Sequence, residues 1–106
     1  MGRREYIMNV TGTEFKSREL ILFEDKMYRS YLNSEIEFNI AFNEFIDNIS
    51  KDQLLEYMHY LGTVYCKSTQ ISFYRILIEM LLEKFKDNND VIKVYKLGLM
   101  KSKLEG

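Results

Sequence analysis

No proline interrupts the 106 residues of this chain, and only five glycines occur in it. Proline removes a backbone donor and glycine loosens the backbone, so a chain with few of either favours helices. Apolar residues make up 46% of the sequence and charged residues 29%, which indicates an ordered globular protein. The length suits one domain. We therefore predict a single helical domain over residues 1–106.

Two capping patterns mark the starts of predicted helices. The sequences SEIE at 34–37 and SKDQ at 50–53 each place a serine three residues before a glutamate or glutamine. The two side chains of such a pair can bond each other's backbone amides. We expect a helix to begin at Lys51. Apolar residues then form one helical stripe: Leu54, Met58, Leu61 and Tyr65.

Two further helices are predicted towards the C-terminus. Ser68 or Thr69 can cap the first, which runs to about Asp87. It is apolar round most of its circumference, which is typical of a central helix covered by neighbours or by a partner. Asn88 and the following asparagine can end it, and Asp90 can cap a last helix.

Residues 14–42 allow a second interpretation, because apolar residues at 36, 38, 40 and 42 alternate with the period of a strand. Helix is favoured, since Phe45, Ile46 and Ile49 continue a helical face. The predicted fold is all-α, a compact bundle of about four to five helices with a short extended N-terminus at residues 6–10. The alternative is α+β, with a small N-terminal antiparallel sheet followed by three helices.

The residue types that carry chemistry are sparse. His59 and Cys66, the only histidine and the only cysteine, lie seven residues apart, which is about 10 Å along a helix. They are too far apart to share a zinc ion or a hydrogen bond. The glycines are never clustered, so a phosphate-binding loop is absent from the sequence. We predict no catalytic, cofactor-binding or metal site, and no enzyme.

The sequence also bears on location. A lone cysteine cannot form an internal disulfide, and the opening MGRREYIMNV has no continuous apolar region typical of a secretory signal. The longest apolar-rich stretch is broken by Arg75, Glu79 and Glu83, so no membrane span is predicted. We expect a cytoplasmic protein.

Gly62 allows two structures. In a continuous helix it would lie on a stripe with Leu55, His59 and Cys66, where a missing side chain lets another backbone approach closely. As a helix end it would instead precede a connector, and residues 54–78 would then resemble a helix-turn-helix with a glycine near its turn.

Candidate partner contacts lie on two helical faces. Residues 34–63 contain six acidic side chains and one basic one, so the middle of the chain is acidic. In a helix over 35–49, Ile36 and Ile40 point away from the phenylalanine face. The stripe through Gly62 is the second face. The candidate contacts are Ile36, Ile40, Glu44, Asp47, Leu55, His59, Gly62 and Cys66.

These observations predict a small non-catalytic binding protein that regulates or inhibits another macromolecule. A protein is the expected partner, with a homodimer as a further expectation and nucleic acid as the alternative. The low proline content and the many Lys, Asn and Ile residues suggest an AT-rich genome, such as that of a low-GC bacterium, its phage or a mobile element. The alternative functions are a helix-turn-helix transcriptional regulator and, on size and composition alone, a helical protein of the bacteriocin-immunity type.

Overall fold

The computed structural model describes residues 18–64 and 71–105. The five helices in these residues are α1 Arg18–Asn33, α2 Glu35–Asn48, α3 Lys51–Val64, α4 Ile71–Lys84 and α5 Asn89–Glu105. No residue of the described ranges lies in a strand. The all-α bundle is therefore confirmed, and the alternative of an N-terminal sheet is wrong for residues 18–42. The predicted extended segment at residues 6–10 lies outside the described residues.

Local side-chain bonds explain where α2 and α3 begin. Ser34 Oγ accepts a hydrogen bond from the Glu37 amide at 3.1 Å. Ser50 Oγ accepts from the Gln53 amide at 3.1 Å, and Gln53 Oε1 accepts from the Ser50 amide at 2.9 Å. Such bonds satisfy amides that have no partner inside the first turn of a helix. The predicted start of a helix at Lys51 is confirmed.

The turn between α4 and α5 differs from the prediction. Helix α4 ends at Lys84, earlier than the predicted Asp87. A hydrogen bond from the Asn88 amide to the Phe85 carbonyl closes the turn and brings Asn88 to the entrance of α5. Asn88 Oδ1 then accepts from the amides of Asp90 and Val91, so Asn88 and not Asp90 caps this helix. The predicted caps of α4, Ser68 and Thr69, lie outside the described residues.

Among the described helices, α3 is the most covered, whereas the sequence predicted α4 as the central helix. All five residues from Tyr60 to Val64 are buried, whereas α4 leaves Arg75, Ile76 and Glu79 exposed. Tyr57 and Gly62 lie about 140° apart round α3, and both are buried. Other helices of the chain therefore cover α3 on two sides, one of which is available only because Gly62 has no side chain.

Aromatic rings fix the inner face of α2. The ring centroids of Phe38 and Phe73 are 6.1 Å apart, and those of Phe45 and Tyr57 are 5.3 Å apart, both in edge-to-face orientation. Ala41 and Phe42 are also buried on this face. Aromatic pairs in this geometry add to the stabilisation that burial provides. The opposite face of α2 is consequently held towards solvent.

Candidate interaction surface and buried polar cluster

The outer face of α2 combines exposed apolar and acidic side chains. Ile36 is 73% exposed and Ile40 is 56% exposed, one helical turn apart. The carboxylates of Glu37, Glu44 and Asp47 are exposed on or beside the same face. We call these five residues the α2 surface. It lies roughly opposite the buried phenylalanines, as the spacing of the sequence predicts.

Few cations neutralise the α2 surface. Lys26 Nζ pairs with Glu44 Oε1, and Asn33 Nδ2 donates to Glu37 Oε2. Asp47 makes no ion pair with another described residue. The surface therefore keeps a net negative charge. An open hollow adjoins it at the end of α1, lined by Arg29, Ser30, Leu32, Asn33 and Glu37.

The second predicted contact face is covered by the chain itself at Gly62. Helix α3 continues through Gly62 to Val64. A Cβ atom placed on Gly62 would lie 2.5 Å from the Tyr95 carbonyl oxygen, and one placed on Gly98 would lie 2.2 Å from the His59 carbonyl oxygen. The backbones of α3 and α5 thus meet at two glycines. Gly62 is a packing position within the chain and not a partner contact.

The other members of that face are less covered. Leu55 and His59 are half-buried, and Cys66 lies outside the described residues. Since Gly62 lies inside a helix, it is not the turn glycine that the helix-turn-helix interpretation requires. The sequence left open whether Gly62 ends the helix or lies within it at a close backbone approach, and the structure shows the second. Gly98 was missed, although a second glycine within a helical pattern was a signal for it.

A buried carboxyl joins three helices. Glu24 of α1 is only 4% exposed. The Tyr57 hydroxyl of α3 donates to Glu24 Oε1 at 2.7 Å, and the Tyr74 hydroxyl of α4 donates to Oε2 at 3.1 Å. The hydroxyls of Tyr74 and Tyr60 are 3.3 Å apart. We call these four residues the Glu24 cluster. Each carboxyl oxygen has a partner, which a buried carboxyl group requires.

Burial controls the protonation of the Glu24 cluster. Loss of water raises the pKa of Glu24 from 4.5 to about 7, although the hydrogen bonds from Tyr57 and Tyr74 oppose the rise and the nearby Asp25 charge adds to it. Burial, with the negative charge of Glu24, also raises the pKa of Tyr57 and of Tyr74. The tyrosines therefore remain neutral donors, while Glu24 changes charge near neutral pH.

Sequence reasoning missed the Glu24 cluster, although one signal was present. Glu24 follows Leu20 by four residues and precedes Met27 by three, so it lies on an apolar helical stripe. Both of these neighbours are fully buried. A carboxyl enclosed in this way has no access for a substrate, and its arrangement is that of a structural link between helices rather than of an acid–base catalyst.

The described residues contain no group of three or more His, Cys, Asp or Glu side chains able to hold a metal ion. Within the same residues, no helix is both long and apolar enough to cross a membrane. Comparisons with protein-family models, with curated proteins and with solved structures find no match for this chain.

Proposed function

We propose that this chain is a non-catalytic cytoplasmic protein that binds another protein through the α2 surface and so regulates or inhibits it. One observation carries the proposal: Ile36 and Ile40 are exposed side by side on a helix whose opposite face is buried. Burial of apolar side chains stabilises a fold, as it does for the phenylalanines of α2, but the chain leaves Ile36 and Ile40 exposed. Exposed apolar side chains grouped within a polar rim are typical of interaction sites.

The chemistry of the α2 surface selects a class of partner. A helix that presents apolar residues one turn apart fits an apolar groove on another protein. The carboxylates beside it favour a groove with lysine or arginine at its rim, because opposite charges steer encounter and exclude wrong partners. Rows of carboxylates can also take the place of phosphates. An apolar groove with basic residues at its rim, beside a nucleic-acid-binding cleft, is therefore the partner surface that fits best.

Direct binding of DNA has less support. The α2 surface is negative and repels phosphate, and Gly62 lies within α3 instead of in a turn. The helix-turn-helix alternative predicts that the protein binds duplex DNA at low salt and loses it steeply as salt rises. Absence of such binding at low salt would exclude the alternative.

The test of the proposed function is a capture experiment with matched variants. The wild-type chain, the double variant Ile36→Ser with Ile40→Ser, and the control Ile76→Ser on α4 are used as baits in extracts of the source cells. We expect one protein to be retained by the wild type and by the control but lost from the double variant, with weaker retention as salt rises. Equal retention by all three baits would contradict the proposal.

Circular dichroism of each bait separates lost contact from lost fold. All three substituted isoleucines are exposed, Ile76 least so at 38%. Substitutions at Ile36 and Ile40 should each change stability by about 0.5 kcal/mol or less. Ile76 is more covered, and its substitution should cost about 1–2 kcal/mol without unfolding the chain. The baits should therefore have the same helical spectrum, and a difference in capture then reports on the α2 surface alone.

A further inference from the structure

Helix α5 carries a second exposed apolar strip, of opposite charge to the α2 surface. Leu97, Met100 and Leu104 are 46%, 58% and 88% exposed. They lie about 100° or more round the helix from Gly98, which faces α3. They therefore lie on the side of α5 that faces away from α3.

Four lysines surround this strip. Lys93 and Lys101 fall within about 40° of Leu97 round the helix, and Lys96 and Lys103 lie on one flank. All four are exposed, and none forms an ion pair with a carboxylate in the described part of the chain. The three apolar residues and these four lysines together are called the α5 surface: Lys93, Lys96, Leu97, Met100, Lys101, Lys103 and Leu104.

We infer that the α5 surface of one copy binds the α2 surface of a second copy. Each surface is an apolar strip on one side of a helix, and their uncompensated charges have opposite signs. Contact between two α5 surfaces would place lysines against lysines, and contact between two α2 surfaces would place carboxylates against carboxylates. Only the mixed contact pairs the charges and covers both strips.

Two helix faces give a small interface. Stable protein interfaces bury about 1,200–2,000 Å² in total, more than one helix pair a few turns long provides. We therefore expect weak association with a Kd of about 10–100 μM at low salt, and weaker association as salt rises. A reciprocal pair, in which each copy contributes both surfaces, makes the contact twice.

This self-association regulates the activity proposed above. A copy whose α2 surface is covered by another copy cannot present Ile36 and Ile40 to a partner protein. Dilution, or a partner protein that binds the α2 surface more tightly, would separate the two copies. The competition rests on the proposed function, whereas the self-association does not, so the two can fail separately.

Charge reversal tests the contact directly. One variant replaces all four lysines of the α5 surface with glutamate, Lys93→Glu, Lys96→Glu, Lys101→Glu and Lys103→Glu, which makes both of its surfaces acidic. A second carries Glu37→Lys with Asp47→Lys, which makes both of its surfaces basic. We expect sedimentation equilibrium at low salt to show that the average mass of the wild type rises with concentration towards at least twice the chain mass. Each variant alone should stay at the mass of one chain.

An equimolar mixture of the two variants is the decisive sample. It restores opposite charges at both contacts, so we expect the mass of the mixture to rise with concentration as it does for the wild type. The Ile76→Ser control should behave as the wild type does. Circular dichroism confirms that every variant is folded.

Three results would overturn the inference. One is a wild type that remains at the mass of one chain at about 0.5 mM and low salt, well above the expected Kd. Another is self-association of either variant alone, which indicates a contact between like surfaces. The third is a folded mixture that stays monomeric while the wild type associates. Binding of a monomeric wild type to vesicles containing phosphatidylserine, lost when all four lysines are replaced with glutamate, would instead make the α5 surface a lipid-binding surface.

Discussion

Helix α3 is held on two sides by opposite kinds of contact. On one side the Gly62 backbone meets the α5 backbone at Gly98, with no space for a methyl group. On the other side Tyr57 and Tyr60 belong to a hydrogen-bonded cluster around a buried carboxyl. We call the contact between Gly62 and Gly98 the glycine crossing, and it depends on the missing side chains of these two residues. The Glu24 cluster depends on the placement of polar atoms and of one proton. The two contacts should therefore respond to different perturbations.

The largest effect is expected at the glycine crossing. Gly98→Ala places a Cβ 2.2 Å from the His59 carbonyl oxygen and 3.1 Å from Gly62 Cα, both backbone atoms that cannot rotate away. Separating α3 from α5 to admit it should lower the free energy of unfolding by about 3 kcal/mol. Urea denaturation measures the loss.

Whether Gly98→Ala lowers or raises the free energy of unfolding is informative. In a helix with space for the methyl group, alanine is about 1 kcal/mol more favourable than glycine. Asn39→Ala on the exposed side of α2 is the control, and it should leave stability unchanged or slightly raised. A Gly98→Ala protein as stable as the wild type would show that the two backbones do not approach as closely as described.

The stability that the Glu24 cluster contributes should depend on pH. The glycine crossing contains no titrating side chain, so its contribution should not. The pKa of Glu24 is about 7 in the folded chain against 4.5 for the free group, so the folded state binds the proton more tightly. The associated stability is complete below pH 4.5 and is lost as the pH rises through 7. We expect the chain to be roughly 2–3 kcal/mol more stable at about pH 5 than at about pH 8.

Glu24→Gln separates this proton from the other carboxylates. Glutamine keeps the size of the side chain and cannot ionise. The difference between wild type and variant in urea denaturation, taken at several pH values, isolates the contribution of Glu24. A difference that does not change with pH would contradict a pKa near neutrality for this carboxyl.

Removal of one donor from the cluster should have a smaller effect. Tyr57→Phe keeps the ring that packs on Phe45 but removes the hydroxyl that donates to Glu24. A buried acceptor without its donor costs about 1–3 kcal/mol. Because the lost bond favours the carboxylate, the pKa of Glu24 should rise further. The stability loss should therefore be greater at high pH than at low pH, and equal losses would argue against a charged acceptor.

The smallest effect is expected where neither kind of contact acts. Ile36 lies on the α2 surface, away from the glycine crossing and from the Glu24 cluster. The free energy of unfolding of the Ile36→Ser variant should therefore stay within about 0.5 kcal/mol of the wild type. A larger loss in a dilute sample would mean that Ile36 packs within the chain. In a concentrated sample, a loss that grows with concentration would instead report self-association.

Most correct predictions came from local signals, although Asp90 as the cap of α5 was wrong. The long-range contacts of Glu24 and Gly98 were missed. The starts of α2 and α3 followed from Ser34, Ser50 and Gln53, whose bonds reach only three residues. The outward orientation of Ile36 and Ile40 followed from the period of one helix. Both kinds of signal are contained in a few consecutive residues, and a sequence displays them directly.

The partners of Glu24 are Tyr57 and Tyr74, which lie 33 and 50 residues further along the chain. Eight tyrosines are present, and helical spacing within α1 does not select among them. The contact between Gly62 and Gly98 likewise depends on how α3 and α5 cross. Such pairings follow from the packing of whole helices, which a single sequence does not specify.

The tyrosines of the Glu24 cluster also allow the protonation of Glu24 to be followed by spectroscopy. There is no tryptophan in the sequence to absorb or emit over the tyrosines, and three of the eight tyrosines lie in this cluster. A phenol that donates to a carboxylate differs in near-ultraviolet absorption and in emission from one that faces a neutral acid. A titration followed by tyrosine spectroscopy should thus reveal the proton on Glu24 without any label, in the intact folded chain.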